Sequence, residues 1–388
     1  MAGPIYADHA STTPVSAEVL EAMLPYLGER FGNASSLYAR GQRAREAVER
    51  ARASVALLLK VASDEVLFTS SASESNNLAL KGIAQSAGRG GKTILAAATE
   101  HISVLHPLRT LERQGFRVRL LPVDHHGLLD PDDLRRALDD ETLIVSVAHA
   151  SAEIGTLQPL SDLCRVAHAG GVPLHCDATL TAGALPWPEA PDAPDLVTVS
   201  AHLLYGPQGI AALRVREGIR LAPLVEGGTQ EGGMRAGTEA LAAVAGFGAA
   251  ARLALSEMDG RSRRAASLAT RLRRALAGRL DGLEATGHPE RRIPGHVSLC
   301  VRGVEAEAMV QALDSEGIEA GSGSACTTAV HKPSHVLEAI GMDPVTARGA
   351  LTFSFGETNR ETDPDRVAAA LVRVAERLRA LSPLPGKS

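Results

Sequence analysis

Short continuous apolar runs, rich in β-branched residues, recur at 66–69, 93–97, 118–122, 142–148, 172–176, 196–199 and 210–215. Between them lie segments with helical spacing of apolar positions, such as 41–58 and 160–169. Strands that lack polar alternation are buried on both faces, so the pattern predicts a mostly parallel sheet between helices. An α/β layered fold follows, with a large domain over 1–256. Beyond 256 the texture changes. Residues 262–280 read as a long Arg/Ala/Leu helix, 296–301 and 350–354 as strands, and 305–316 and 364–381 as helices. This α+β tail, 257–388, is expected to form a smaller second domain that the N-terminal segment joins.

Composition narrows the function classes. Aromatic residues are only 3% of the 388, with one Trp, which leaves little from which to build base-stacking platforms, and the net charge of -5 disfavours a polyanion. No nucleic-acid partner is expected. Residues 241–255 are apolar but interrupted by Gly246, Gly248 and Arg252, and fall short of the ~20 apolar residues that span a bilayer. Neither a membrane segment nor a secretory signal is expected, and the protein reads as cytoplasmic. The four cysteines, Cys164, Cys176, Cys300 and Cys326, form no CxxC pair, which suits reduced thiols better than a disulfide or zinc framework.

In an α/β sheet ligands bind beyond the carboxyl ends of strands, so the segments following the runs are the places to look for chemistry. Ser70 to Glu74 offers small residues and hydroxyls at a helix start, suited to cupping a phosphate, although a capping box needs the same letters. His101 closes the run at 93–97, where an imidazole can stack on a planar ring or move protons, or be a structural histidine. Asp177 ends the run at 172–176, where a carboxylate can pair with a protonated heterocyclic nitrogen or cap a helix. His175 and Cys176 make a weak metal pair, because neighbours on a strand point to opposite faces. Ser200 and His202 share one side of the turn that precedes Gly206-Pro207. Cys326 sits in the Gly/Ser-rich stretch 321–328, an unusual setting for a packing cysteine and a suitable one for a reactive thiol.

Taken together and in order, these segments resemble the cysteine desulfurases, pyridoxal-phosphate enzymes of aminotransferase class V on the fold-type I scaffold. The resemblance runs through YADHASTTP at 6–14, GNASS at 32–36, FTSSASESNN at 68–77, ATEHISV at 98–104, EIGTLQPL at 153–160, HCDA at 175–178, SAH at 200–202, GGMRAGTE at 232–239, GSGSACTT at 321–328 and PSHVL at 333–337. It implies that Cys326 carries sulfur as a persulfide, that Asp177 pairs with the pyridine nitrogen and that His101 covers the ring. Ala72, Ser73, Ser200 and His202, with Thr238 from a second subunit, are implied to cup the phosphate, and a dimer is implied with them.

Several positions depart from the family pattern. The lysine that bonds the cofactor follows the SAH triplet in the family, and here that residue is Leu203. Ser151 and Ala152 replace paired Asn, Leu180 replaces Gln, Thr352 replaces the Arg that grips a substrate carboxylate, and Glu357 stands where another Arg is usual. Leucine has no amine, so covalent attachment is lost and any pyridoxal phosphate is held non-covalently. No ordinary desulfurase activity is expected from this chain alone. Three functions stay open: a degenerate subunit, in a homodimer or paired with a lysine-bearing paralogue, a persulfide carrier serving a sulfur-acceptor protein, or an enzyme with non-covalent cofactor acting on another substrate.

Overall fold

The computed structural model describes residues 3–88, 91–323 and 334–381. Twelve strands are present among them: β1 (Ile5–Tyr6), β2 (Val66–Thr69), β3 (Thr93–Ala97), β4 (Arg117–Leu121), β5 (Thr142–Ser146), β6 (Leu174–Asp177), β7 (Leu196–Ser200), β8 (Ala211–Val215), β9 (Leu283–Ala285), β10 (His296–Val301), β11 (Ile318–Glu319) and β12 (Ala350–Ser354). The principal helices are α1 (Ala17–Leu27), α2 (Ala39–Leu59), α3 (Ala72–Ser86), α4 (Ile102–Arg113), α5 (Pro131–Ala137), α6 (Leu160–Ala169), α7 (Leu241–Leu276), α8 (Ala306–Asp314), α9 (His335–Ala339), α10 (Pro344–Ala347) and α11 (Asp363–Leu381).

All seven apolar runs become strands of one sheet, ordered β2-β8-β7-β6-β5-β3-β4. Strands β7, β6, β5, β3 and β4 run parallel to one another, and β8 runs antiparallel to both β7 and β2. Because side chains alternate across a strand, Leu95 and Ala97 enter one core with α2, α6 and α7, while Ile94 and Ala96 enter another with α3 and α4. The fold is thus α/β, with a seven-stranded sheet between two helical layers.

A third core gathers Ile5 and Ala7 with the second half of α7, β10, β12, α8 and α11. Strand β1 pairs in parallel with β11, through Ile5 to Ile318 and Tyr6 to Glu319. Helix α7 is continuous across position 256: Val244 to Ala254 pack in the sheet's core and Leu268 to Leu276 in the third. Its first half is the apolar stretch expected to be too short for a membrane span. The whole helix is long and apolar enough to cross one by length and composition, but its apolar face packs on α1 and α2. Gly246 and Gly248 allow that approach. A Cβ on Gly248 would lie 2.6 Å from the Ala51 Cα, and one on Gly246 would lie 2.7 Å from the Met23 side chain.

Candidate active site

A cavity of about 430 Å³ opens beyond the carboxyl ends of β2, β3, β5, β6 and β7. Ala72, Ser73, His101, Asp177, Ser200 and His202, from separate stretches of sequence, all line it. Thr238 is exposed and lies outside its own chain's cavity. Cys326 lies outside the described residues.

The start of α3 forms one end. Ser71 is its N-cap, accepting from the Glu74 N–H at 3.1 Å, while the Glu74 carboxylate accepts from the Ser70 N–H at 2.7 Å and from the Ser70 hydroxyl. Burial raises the Glu74 pKa, but its bonds to Arg235 and Ser70 outweigh this and hold it below the usual range. Ser71 therefore caps α3 as the letters allow, while Glu74 reaches back to Ser70 rather than to the Ser71 N–H of a full capping box. This arrangement still leaves the Ala72 and Ser73 N–H groups with no acceptor among the described residues, and Ser200 Oγ likewise has no partner there. Such N–H groups at a helix start suit an anion.

Asp177 is buried at the end of β6. Its Oδ2 accepts from Asn76 Nδ2 at 2.8 Å, and its Oδ1 accepts from the Thr179 N–H at 3.1 Å and hydroxyl at 2.7 Å. Asn76 also donates to Ser103 Oγ at 2.8 Å, tying α3 to α4. His101 caps α4: its Nδ1 accepts from the Ser103 N–H at 3.1 Å, which places the proton of a neutral ring on Nε2. Burial lowers its pKa, with Asp177 opposing and His335 and His106 adding to the effect. His202 lies on a 3-10 turn rather than on the strand, yet faces the same cavity as Ser200. Its Nδ1 meets Thr12 Oγ1 at 3.1 Å.

Asn76, Thr179 and Ser103 were not singled out from the sequence, although Asn76 stands inside the 68–77 motif. Glu100 and Glu153 were missed too. Glu100 is buried, with Oε1 accepting from the Ala148 N–H at 2.6 Å and Oε2 unpartnered among the described residues. Burial pushes its pKa well above the ordinary value. Glu153 accepts from the Ser334 hydroxyl, and burial pushes its carboxyl up to about 7. His175 is enclosed between Ser146 Oγ (2.9 Å) and Thr198 Oγ1 (3.1 Å), whereas Cys176 enters the core on the other face. Among the described residues no group of three metal-binding side chains comes together.

Leu203, Leu180, Ser151, Ala152 and Thr352 all line this cavity. The Ser151 oxygen accepts from the Glu153 N–H at 3.3 Å, so that lone pair serves its own loop. Among the described residues the cavity has four carboxyl groups, Asp8, Glu100, Glu153 and Asp177, and no lysine or arginine. Lys60 pairs with Glu189 and Lys92 with Glu141, and neither they nor Lys81 reaches it.

These residues match the outline of pyridoxal phosphate in two of three respects. The spare N–H groups of Ala72 and Ser73, with the Ser200 hydroxyl and His202, suit the phosphate, and Asp177, braced by Asn76 and Thr179, suits the ring nitrogen. Leu203 supplies no amine for covalent attachment.

The aminotransferase class-V profile matches residues 5–367. A cysteine desulfurase IscS from Dictyoglomus turgidum is 40% identical over 98% of this chain and 96% of its own length. One from Archaeoglobus fulgidus is 41% identical, covering 98% and 99%. A solved NifS-like protein superposes with a TM-score of 0.90 at 30% identity, covering 97% of this chain and 100% of its own. The chain belongs to the cysteine desulfurase family of class-V aminotransferases, whose members are pyridoxal-phosphate enzymes.

Proposed function

We propose that this chain serves sulfur transfer without itself releasing sulfur from free cysteine. The observation that carries the reading is that no lysine or arginine lines the cavity among the described residues. A free amino acid brings a carboxylate, which here meets four carboxyl groups and no described cation, and Leu203 replaces the attaching amine. Pyridoxal phosphate, when bound, supplies an electron sink for bonds at the carbon bearing an amine. Ala72, Ser73, Ser200 and His202 would hold its phosphate and Asp177 its ring nitrogen.

The role that remains is that of a degenerate subunit or a persulfide carrier acting through Cys326. In the carrier role the Cys326 thiolate attacks the outer sulfur of a donor persulfide. A new S–S bond forms at Cys326, the donor leaves as its thiolate, and no outside oxidant is needed. Purified protein given cysteine and pyridoxal phosphate should release no sulfide beyond a Cys326→Ser control. After incubation with a persulfide donor, the intact chain should gain the mass of one sulfur and Cys326→Ser should not. Sulfide release that Cys326→Ala abolishes would overturn the reading.

The same lack of a cation in the described lining favours a second reading, a non-covalent cofactor site acting on an amine that lacks a carboxylate. Cofactor-dependent turnover of such an amine, lost in Asp177→Ala, would select it.

A further inference from the structure

A second cavity, about 210 Å³, lies on the far side of Leu180 and Leu203. Those two leucines and Ala10 line both cavities and form the shared wall. Beyond it the lining is mainly hydrocarbon, including Leu204, Ala265, Ile293 and Phe355. Three departures from the family pattern, Leu180, Leu203 and Glu357, thus meet at this one space.

Its polar lining includes two histidines, His9 and His296, and several hydroxyls, of which two have a hydrogen to give. The Tyr205 hydroxyl accepts from the Glu357 N–H at 2.8 Å, and the Ser354 hydroxyl, which is buried, accepts from the Ala10 N–H at 2.7 Å. Neither hydroxyl has an acceptor for its own hydrogen among the described residues, so each has a donor to spare. Tyr205 holds a left-handed backbone, φ 60°, that a non-glycine residue rarely adopts, and this conformation places its ring at the cavity. At the rim Arg261 pairs with Glu357 and Glu257, whereas Arg264 donates to the Asn359 carbonyl and has no carboxylate partner among the described residues.

We propose that this second cavity is a binding site for a small molecule with a hydrocarbon body and a terminal carbonyl oxygen. The body rests on the Leu180/Leu203 wall and the carbonyl accepts from Tyr205 and Ser354. A carboxylate and a neutral amide share this chemistry, and Arg264 gives the carboxylate an additional attraction. The site is separate from the cofactor-type cavity and does not rest on the sulfur-transfer reading.

The test is calorimetric titration of the full chain with linear monocarboxylates from butanoate to decanoate and with the matching amides, with and without pyridoxal 5′-phosphate. Affinity should rise about threefold to fourfold per methylene. It should level off at roughly six to eight carbons, because the space exceeds the ~150 Å³ that holds benzene. Acids binding more tightly than amides identifies Arg264 as a contributor, and equal binding identifies the hydroxyl pair alone. Tyr205→Phe should weaken every probe about twofold to tenfold without altering the chain-length slope. Ala184→Leu, which fills part of the same space, should move the plateau to shorter chains. If that variant does not fold, the chain-length series on the unaltered protein decides. The proposal is overturned by no saturable binding, by a slope without a plateau, by displacement of the probe with pyridoxal phosphate, or by a Tyr205→Phe variant that binds as the parent does.

Discussion

Replacing Arg52 with methionine tests how the segment leading to Thr238 is held. On α2, Arg52 grips Glu231 with two hydrogen bonds, Nη1 to Oε2 at 2.6 Å and Nη2 to Oε1 at 2.9 Å. Their side chains are only 11% and 3% exposed. Glu231 Oε2 also accepts from the Phe68 N–H at 2.8 Å, so the pair covers the edge strand β2 as well as pinning the segment. Arg52→Met would leave a buried carboxylate with one backbone donor, a change that costs about 3–5 kcal/mol. For a chain this long the unfolding entropy is about 0.8 kcal/mol/K, so the melting midpoint should fall about 4–6 °C. Scanning calorimetry at pH 7 reads this directly. Arg52→Met with Glu231→Gln removes the stranded charge and should recover a large part of the loss. Arg50→Ala, at a pair 64% and 65% exposed, should change stability by less than about 0.5 kcal/mol. A fall below 1 °C for Arg52→Met, or a double variant whose penalties simply add, would refute the reasoning.

Other perturbations have equally definite signs. The folded state keeps Glu153 protonated up to about 7 against 4.5 in the free side chain, so its stabilisation is full below pH 4.5 and is lost as the pH rises through 7. Glu153→Gln should remove that dependence, on the order of 3 kcal/mol, from urea midpoints measured at pH 5 and pH 8. His149 and His296 are buried, which lowers each to about 4, so their stabilisation is present above pH 6.5 and lost as the pH falls toward 4. His149→Gln should flatten the acid limb of a pH-unfolding curve. Gly248→Ala, which in an exposed helix would stabilise by about 1 kcal/mol, should destabilise by about 1–3 kcal/mol in chemical denaturation, because the new methyl meets the Ala51 backbone. Leu203→Lys should make added pyridoxal phosphate trappable on that residue by borohydride reduction, detected by peptide mass, while the parent chain is not labelled there.

The sheet was legible because its strands, the exposed edge strand β4 excepted, are largely buried on both faces and carry no competing helical period. Thr93–Ala97 and His296–Val301 begin and end where the apolar runs do. The first half of α7 was not legible, since Gly246 and Gly248 read as interruptions and become assets only once Met23 and Ala51 lie against them. Helix α4 was hidden by Pro107 inside it. Six residues that line one cavity were readable because segments at strand ends leave their mark in short motifs. The bracing of Asp177 by Asn76 and the cavity's lack of described cations were not, because both depend on side chains brought together from distant loops.

The pairing of β1 with β11 has a consequence for how the protein is made. Ile5 and Ala7 are 2% and 0% exposed in the finished fold, yet the residues that cover them include Ile318 and Phe353. During translation they emerge well before the residues that cover them, and more than three hundred residues separate Ile5 from its partner Ile318. The sheet can assemble from residues 66–215, but the third core cannot close until β12 and α11 have also emerged. The early apolar segment is exposed for most of that time, a window in which chaperones or neighbouring nascent chains compete for it.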